Sequence, residues 1–364
     1  MSGALKVIVR NGFRGLVGLT TMATLPLRAR DRKIAVYYGG ARGGDLGGTL
    51  VKVRLLQSRF PEHRIGYSLL YMLSNAIYLP AAVIEQVRAA GVPLVLNQNG
   101  VFYPGWYPDG WQRENARMAT VHSAADHVFY QSEFCRFCAE KFLGRRSGLS
   151  EILFNGVDTD HFVPANNEPK PGPFTFLATG KFGASTAYRL SSSIAGLAAA
   201  RAGGLDVRLT IAGPIEPAVE VKARVLTEAL GLNEFVAFLG PYTGAQAPAI
   251  YQAADAYLMT KHNDPCPNAV LEALACGLPI LYSASGGVPE QVGPDAGFGL
   301  PVPFTFETDV APEPNAIAAG MVHVIRQRDT MATAARARAV ERFDLSLWFA
   351  RHETIFRSLV EKVA

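Results

Sequence analysis

Apolar and polar positions change rhythm along this chain at regular intervals. Short runs rich in β-branched and aromatic residues, at 33–38, 94–97, 127–131, 174–179, 207–212, 236–239, 256–259 and 280–283, predict strands. Longer stretches with apolar residues three and four apart, at 80–90, 109–125, 190–202, 217–230 and 268–276, predict helices. Strands alternating with helices predict parallel sheets in α/β layers. The rhythm stops at 164–173, where P-A-N-N-E-P-K-P-G-P holds four prolines and no apolar period; this predicts a linker. A fresh strand–helix alternation follows it. Two α/β domains of similar size are expected, with ligands at the carboxyl ends of the strands and the site in the cleft between two facing sheets.

The first 32 residues precede this alternation and carry six basic residues against one acid, Asp31. Residues 6–9 fit an extra strand, and 13–27 fit a segment lying on a membrane surface. Pro26 and the interspersed Gly and Thr argue against a good amphipathic helix, so an ordinary folded extension is expected. The best apolar run, 15–27, has 13 residues where a membrane span needs about 20, and no signal-peptide pattern opens the chain. A cytoplasmic protein is expected, with contact on the inner face of a membrane as its extension.

Composition sharpens this only in part. The 364 residues are 49% hydrophobic and 18% charged, which supplies two packed cores and excludes a disordered polyelectrolyte. Net charge is +4, but residues 1–164 carry 19 Lys and Arg against 12 Asp and Glu, so the first half is basic and the second slightly acidic. A basic half suits an anionic surface or acceptor, or is ordinary solvated charge. Cys135 and Cys138 form a C-x-x-C with no second pair to complete a zinc site, so reduced helix cysteines are expected.

Chemistry concentrates in 262–292. Pro267 suits the first turn of a helix, Val270, Leu271, Leu274 and Ala275 form its buried stripe, and Gly277 and Pro279 end it. The start of that helix offers free N–H groups near Asn268 and Ala269 and the positive end of a dipole, an anion site. Asp264 lies just before it and Glu272 about one turn in. Two carboxylates beside an anion site suit the vicinal hydroxyls of a ribose or sugar ring. The alternative is that Asp264 caps the helix and Glu272 is an exposed helix residue.

This segment resembles the E-x7-E signature of retaining, family-4-type glycosyltransferases of the GT-B fold, with Asp264 at the first position and Glu272 at the second. The likeness runs on through A-L-A-C-G-L-P-I and G-G-V-P-E. In family order stand Ala125-Asp126-His127-Val128 with Ser132, then Asn155-Gly156-Val157-Asp158 with Phe162, Ile211-Ala212-Gly213, Phe238-Leu239-Gly240, and Arg342-Phe343 with Trp348. The resemblance covers roughly 33–360. It implies two Rossmann-like α/β domains facing across a cleft: 1–163 on the acceptor side, 164–340 holding the nucleotide sugar, and 341–364 as a helix packing back on the first domain. Asp264 would hold the hydroxyls of the donor sugar and Glu272 the ribose diol, with N–H groups at Asn268 and Ala269 toward sugar or diphosphate.

Gly180-Lys181-Phe182 resembles the G-R-L opening the family's diphosphate loop, so Lys181 would set a cation on the phosphates. The family's second cation falls at Ala187; Arg189, two residues on, is the nearest substitute, or else a surface helix residue. The loop 39–48, G-G-A-R-G-G-D-L-G-G, resembles the family's first βα loop, with Gly47 and Gly48 as donor contacts, or is merely flexible. Asn99 stands where the family often has His, and an amide cannot shuttle protons, so Gln98 and Asn99 are expected only to hydrogen-bond acceptor or sugar. Aromatics at 102, 103, 106, 107 and 111 suit either an acceptor platform or a loop core.

The reading is a retaining transfer of a hexosyl unit from a nucleoside-diphosphate sugar to a glycan or lipid-linked hydroxyl, in cell-surface polysaccharide synthesis. Neither metal nor other cofactor is expected, and no nucleic-acid partner. The rival is a catalytically silent GT-B module binding a nucleotide or glycan, which Asn99 and Ala187 favour.

Overall fold

The computed structural model describes residues 3–29, 33–44, 47–165 and 172–363, the side chains of 3–8 and 363 excepted. Residues 166–171 of the expected linker and Asp45 and Leu46 of the first glycine-rich loop lie outside the described residues. The chain divides into two compact units, one of residues 1–103, 107–153 and 348–364, the other of 104–106 and 154–347. The division falls at 153/154, ahead of the proline-rich stretch.

The first unit opens with α1 (Gly3–Thr24) and continues β1 (Val36–Tyr37), α2 (Gly48–Arg59), β2 (Leu69–Leu73), α3 (Ala81–Ala89), β3 (Leu94–Gln98), α4 (Trp111–Ala124), β4 (His127–Tyr130), α5 (Glu133–Leu143) and β5 (Leu149–Ile152). The expected strand at 6–9 is instead part of α1. Val17, Thr21 and Leu25 recur every four residues and are buried, the helical period, and Thr21 shares a hydrogen bond with the Tyr37 hydroxyl at 2.9 Å. The five strands are parallel and ordered β1-β2-β3-β4-β5. β2 and β3 are buried along their whole length, as a sheet covered on both faces requires. α5 starts where the Ser132 hydroxyl accepts the Cys135 N–H at 3.0 Å.

The second unit contains β6 (Phe174–Thr179), α6 (Ala187–Ala202), β7 (Val207–Ala212), α7 (Pro217–Ala229), β8 (Val236–Gly240), α8 (Ala247–Gln252), β9 (Ala256–Met259), α9 (Asn268–Ala275), β10 (Ile280–Ser283), α10 (Val288–Val292), β11 (Gly297–Leu300), α11 (Pro314–Arg326) and α12 (Arg328–Arg338). Its parallel sheet runs β11-β10-β9-β6-β7-β8. Period-two alternation sends Phe176, Leu209, Ile211 and Leu258 into one apolar cluster and Leu177, Tyr257 and Ile280 into the other. β6 is first in sequence yet central in space. The chain adds β7 and β8 on one side, then crosses over to add β9, β10 and β11 on the other. Such a reversal opens a crevice beyond the carboxyl ends of the two strands it separates, here β6 and β9.

A last helix, α13 (Leu345–Val363), follows, and its residues from Trp348 onward belong to the first unit. There His352 is fully buried, its Nε2 3.0 Å from the Tyr71 hydroxyl, and Phe356 packs edge-on against the Tyr71 ring.

Candidate active site

Strands β6 and β7 run into glycines at Gly180 and Gly213, and β8 ends on Gly240, all three with positive φ. Gly213 has no alternative: a Cβ there would lie 2.0 Å from the Gly180 carbonyl oxygen. The tight approach turns the backbone sharply at Gly180 and presents Lys181 outward. Lys181 is exposed, and its ammonium makes no ion pair or hydrogen bond among the described residues. Phe182 turns inward again, 1% exposed.

Arg189, on the first turn of α6, is not a surface residue: it is 5% exposed. Its Nη2 donates to the Thr179 carbonyl at 3.1 Å, its guanidinium lies 4.8 Å from the Phe182 ring centre, and a Cβ on Gly180 would meet Nη1 at 2.8 Å. The guanidinium thus fills the space directly behind the Gly180 turn, and its Nε is buried without a partner among the described residues.

The Thr179 side chain ties this turn to the second carboxylate. Its hydroxyl is 3.1 Å from the Tyr251 hydroxyl and 3.0 Å from that of Tyr257, and Tyr251 donates to Glu272 Oε2 at 2.7 Å. Burial pushes the Glu272 carboxyl above the usual carboxylate range, and the Tyr251 hydrogen bond pulls it part of the way back. Burial also raises Tyr251, with the Glu272 charge adding to it, and pushes Tyr242 up to about 12, so both phenols stay protonated and Tyr251 keeps the hydrogen it donates to Glu272. Glu272 is therefore neither exposed nor idle; its second oxygen is left for another partner.

The loop after β9 carries the first carboxylate. Asp264 Oδ2 takes a 2.7 Å contact from Lys261 Nζ, and Oδ1 accepts the Cys266 N–H at 3.2 Å. The preceding Asn263 is held at φ 50°, in the left-handed region, by its N–H donating to Ser285 Oγ and its amide donating to the Thr305 carbonyl. The Gly287 N–H donates to the Asp264 carbonyl at 2.9 Å, and a Cβ on Gly286 would fall 2.3 Å from that same oxygen. α9 then begins after Pro267, and Asn268 Oδ1 is fixed by the Asn155 amide at 2.8 Å. Its first N–H groups, at Asn268 and Ala269, lie outside the helix's own ladder. Asp158-Thr159-Asp160 forms a turn: Asp158 Oδ1 accepts the N–H groups of Asp160 and His161. Among the described residues no cluster of three or more His, Cys, Asp or Glu is placed to hold a metal ion.

In the first unit, Gln98 is fully buried and its amide donates to the Gly100 carbonyl at 2.5 Å, so its side chain is not presented to a ligand. Asn99 is half-buried. Its Oδ1 accepts from Lys52 Nζ at 2.7 Å and from Gln131, and its Nδ2 donates to Asn75 at 2.6 Å. Lys52, on α2 and 5% exposed, also reaches Asn97 at 2.8 Å. Gly47 and Gly48 are exposed at the start of α2, Gly47 with φ 93° and open space where a Cβ would go.

The fold thus gathers Gly180, Lys181, Arg189, Asp264, Asn268, Ala269 and Glu272 in the second unit, around the β6–β9 reversal; Gly47, Gly48, Gln98 and Asn99 lie in the first. Sequence reasoning missed Thr179, Tyr251, Tyr257, Lys261 and Lys52. The tyrosines carry no local signal. Lys52 carries one, since it shares an inward helical face with Val53 and Leu56.

Residues 187–311 match the family model described as glycosyl transferases group 1. D-inositol 3-phosphate glycosyltransferase of Pseudarthrobacter chlorophenolicus is 28% identical over 225 residues, 58% of this chain and 53% of that protein. The protein of the same name from Arthrobacter sp. FB24 is 22% identical, over 67% of this chain and 60% of its own length. The chain spans about half the length of the first of these relatives. Sucrose-phosphate synthase from Thermosynechococcus elongatus superposes with a TM-score of 0.68 at 19% identity, over 86% of this chain and 78% of that one. Anabaena HepE, solved in complex with UDP, gives 0.65 at 20% identity over 80% and 79%. These likenesses show the fold, α/β with two Rossmann-like units of the GT-B type.

Proposed function

We propose that this chain, whose residues 187–311 match the model of the group 1 glycosyltransferases, moves a hexosyl unit from a nucleoside-diphosphate sugar to a hydroxyl of a glycan or lipid-linked acceptor, with retention. One observation carries the reading: Glu272, Tyr251, Thr179 and Arg189 form a continuous hydrogen-bonded chain across the β6–β9 reversal, where a doubly wound sheet binds its ligand.

In this reading the free oxygen of Glu272 accepts from the ribose hydroxyls. Lys181 and the first N–H groups of α9 meet the diphosphate, and Asp264, oriented by Lys261, holds the sugar hydroxyls. As the sugar–phosphate bond breaks, charge develops on the leaving diphosphate, and these donors are already in place to stabilise it. The acceptor O–H proton passes to a phosphate oxygen of the departing nucleotide, so an amide at Asn99 is no obstacle. The proposed setting is cell-surface polysaccharide synthesis, with the basic first half toward an anionic membrane surface. Among the described residues no helix is long and apolar enough to cross a membrane.

The test is thermal stabilisation by UDP, GDP, ADP and TDP without added metal, then by matching sugar nucleotides. UDP heads the panel because the HepE neighbour was solved with it. Ligand at 100 times its Kd adds about 2.7 kcal/mol. A shift with one diphosphate that disappears in Glu272→Ala supports the donor site; no shift with any of them removes it.

A further inference from the structure

Lys52, on α2 of the first unit, is a buried charge that the donor chemistry leaves unused. A lysine is rarely buried, because its ammonium gives up water unless oxygens take the place of that water. Two side-chain carbonyls do so here: Nζ donates to Asn97 Oδ1 at 2.8 Å and to Asn99 Oδ1 at 2.7 Å. Asn97 and Asn99 stand two apart where β3 ends, so both side chains leave the strand on one face. Gln131, buried just after β4, donates its amide to the same two oxygens, to that of Asn97 at 3.2 Å.

These four side chains fix the direction of the Asn99 amide. An ammonium carries hydrogens only, so the atom facing it is the carbonyl oxygen; a flipped amide would set NH2 against the ammonium. The backbone is held as well: the Asn99 N–H donates to Ser74 Oγ at 2.9 Å, and the Ser74 N–H to the Asn97 carbonyl at 3.0 Å. Nδ2 therefore points away from Lys52. One of its hydrogens meets Asn75 Oδ1 at 2.6 Å, and the other has no partner among the described residues. Asn99 is only half-buried and follows the carboxyl end of β3, the edge at which a parallel sheet presents groups to a ligand.

We infer that Lys52 is a positioning residue for the transfer: it holds Asn99 as a hydrogen-bond donor, and the open N–H binds a non-reacting hydroxyl oxygen of the sugar being moved. The inference rests on the transferase reading above. An attacking hydroxyl needs its lone pair for the new bond, and a fixed N–H would occupy that lone pair, so the oxygen served is not the attacking one. An amide free to turn would offer its oxygen as readily as its N–H and would select neither polarity. The ammonium removes that choice without touching the sugar itself.

Two measurements on the full chain test this. Urea unfolding at pH 7.5 compares the parent with Lys52→Met, which fills similar space without the charge. Its midpoint is expected to equal or exceed that of the parent, since a buried charge kept for function adds little to the fold. Nucleotide release, with water as acceptor, then compares the parent, Lys52→Met and Asn99→Asp, using UDP-glucose first and GDP-mannose, ADP-glucose and TDP-glucose after it. Lys52→Met lets the amide turn. Asn99→Asp keeps an oxygen for the ammonium and puts a second oxygen where the N–H was. Each is expected to lower kcat at least tenfold, while the Kd of the nucleoside diphosphate, set in the second unit, changes less than threefold. A midpoint of Lys52→Met below that of the parent assigns the lysine to the fold and overturns the inference. So does a kcat within threefold of the parent in either variant. A parent that none of UDP, GDP, ADP and TDP stabilises removes the transferase reading instead, and the Lys52→Met midpoint still decides whether the lysine serves the fold.

Discussion

The Arg189 guanidinium donates to the carbonyl of Thr179 from inside the protein, at 3.1 Å, while Lys181, two residues beyond Thr179, faces solvent with no partner among the described residues. One cation supports the turn from behind and the other is free to meet a ligand. Their substitutions should separate. Arg189→Lys cannot reach the Thr179 carbonyl and cover the Phe182 ring together, and should cost about 1.5–3 kcal/mol in urea unfolding, the range for a hydrogen bond to a charged group. Lys181→Ala should stay within about 0.5 kcal/mol of the parent yet weaken UDP binding at least tenfold. Equal stability losses in the two variants would remove the distinction.

Burial of the Glu272 carboxyl disfavours its charged form. Burial is the larger influence and raises its carboxyl; the Tyr251 hydroxyl opposes this. Below the ordinary glutamate value, about 4.3, folded and unfolded chains are both protonated and nothing is lost. As pH rises through the raised folded value, the folded state must ionise a buried group, and stability falls. Glu272→Gln should therefore unfold at a higher temperature than the parent at pH 7.5, with the gap closing toward pH 4, while losing nucleotide binding. A variant less stable at pH 7.5 would show that the Tyr251 bond outweighs burial.

The reach of the sequence differs between the two units. In the second, the helix-start signals at Pro267 and the stop at Gly277 place α9 within a residue, because local backbone chemistry decides both. Asp264 and Glu272 were readable for the same reason. Their partners were not: Tyr251, on α8, precedes Glu272 by 21 residues with strand β9 between them, and only the packing of the folded chain brings it within 2.7 Å. In the first unit, β2 was missed because L-L-Y-M-L is apolar throughout and shows neither period. β11 was missed because G-F-G-L reads as a turn, although Gly297 is there for a close approach, a Cβ falling 2.1 Å from the Ile280 carbonyl oxygen. The helix at the start defeated propensity, since inward contacts at Val17 and Leu25 outweigh its glycines and threonines.

Gly286 offers a substitution whose effect is steric. At φ 69° any Cβ is strained, and this one would sit 2.3 Å from the Asp264 carbonyl oxygen and 2.7 Å from its nitrogen. Gly286→Ala must push the 263–264 segment away and lose the Gly287 bond to Asp264. Sugar-nucleotide turnover should fall at least a hundredfold, while UDP affinity, which depends on Glu272, changes less than threefold. Loss of both together would show that the two carboxylates are not positioned independently.

The last prediction concerns pH and lies in the first unit. His352 is fully buried, with Nδ1 2.8 Å from the Trp348 carbonyl and Nε2 3.0 Å from the Tyr71 hydroxyl. A carbonyl only accepts, so Nδ1 carries the hydrogen and Nε2 accepts from Tyr71; the neutral ring satisfies both. Protonating Nε2 would make Tyr71 give up its donated bond and turn its hydroxyl to accept, and burial, opposed in part by the Trp348 carbonyl and aided by Lys52, lowers the group to about 3. The unfolded chain takes up its proton near pH 6.5, so the folded state binds fewer protons between these values and loses stability as pH falls below 6.5. The loss is about 1.4 kcal/mol per pH unit for one such histidine. His352→Gln should be less stable than the parent at pH 7.5 and show a shallower loss from pH 6.5 to 4.5. Trp348, whose ring centre is 4.2 Å from that of His352, reports the transition by its fluorescence. An unchanged slope would move the acid sensitivity to His122, which burial also lowers, to about 4.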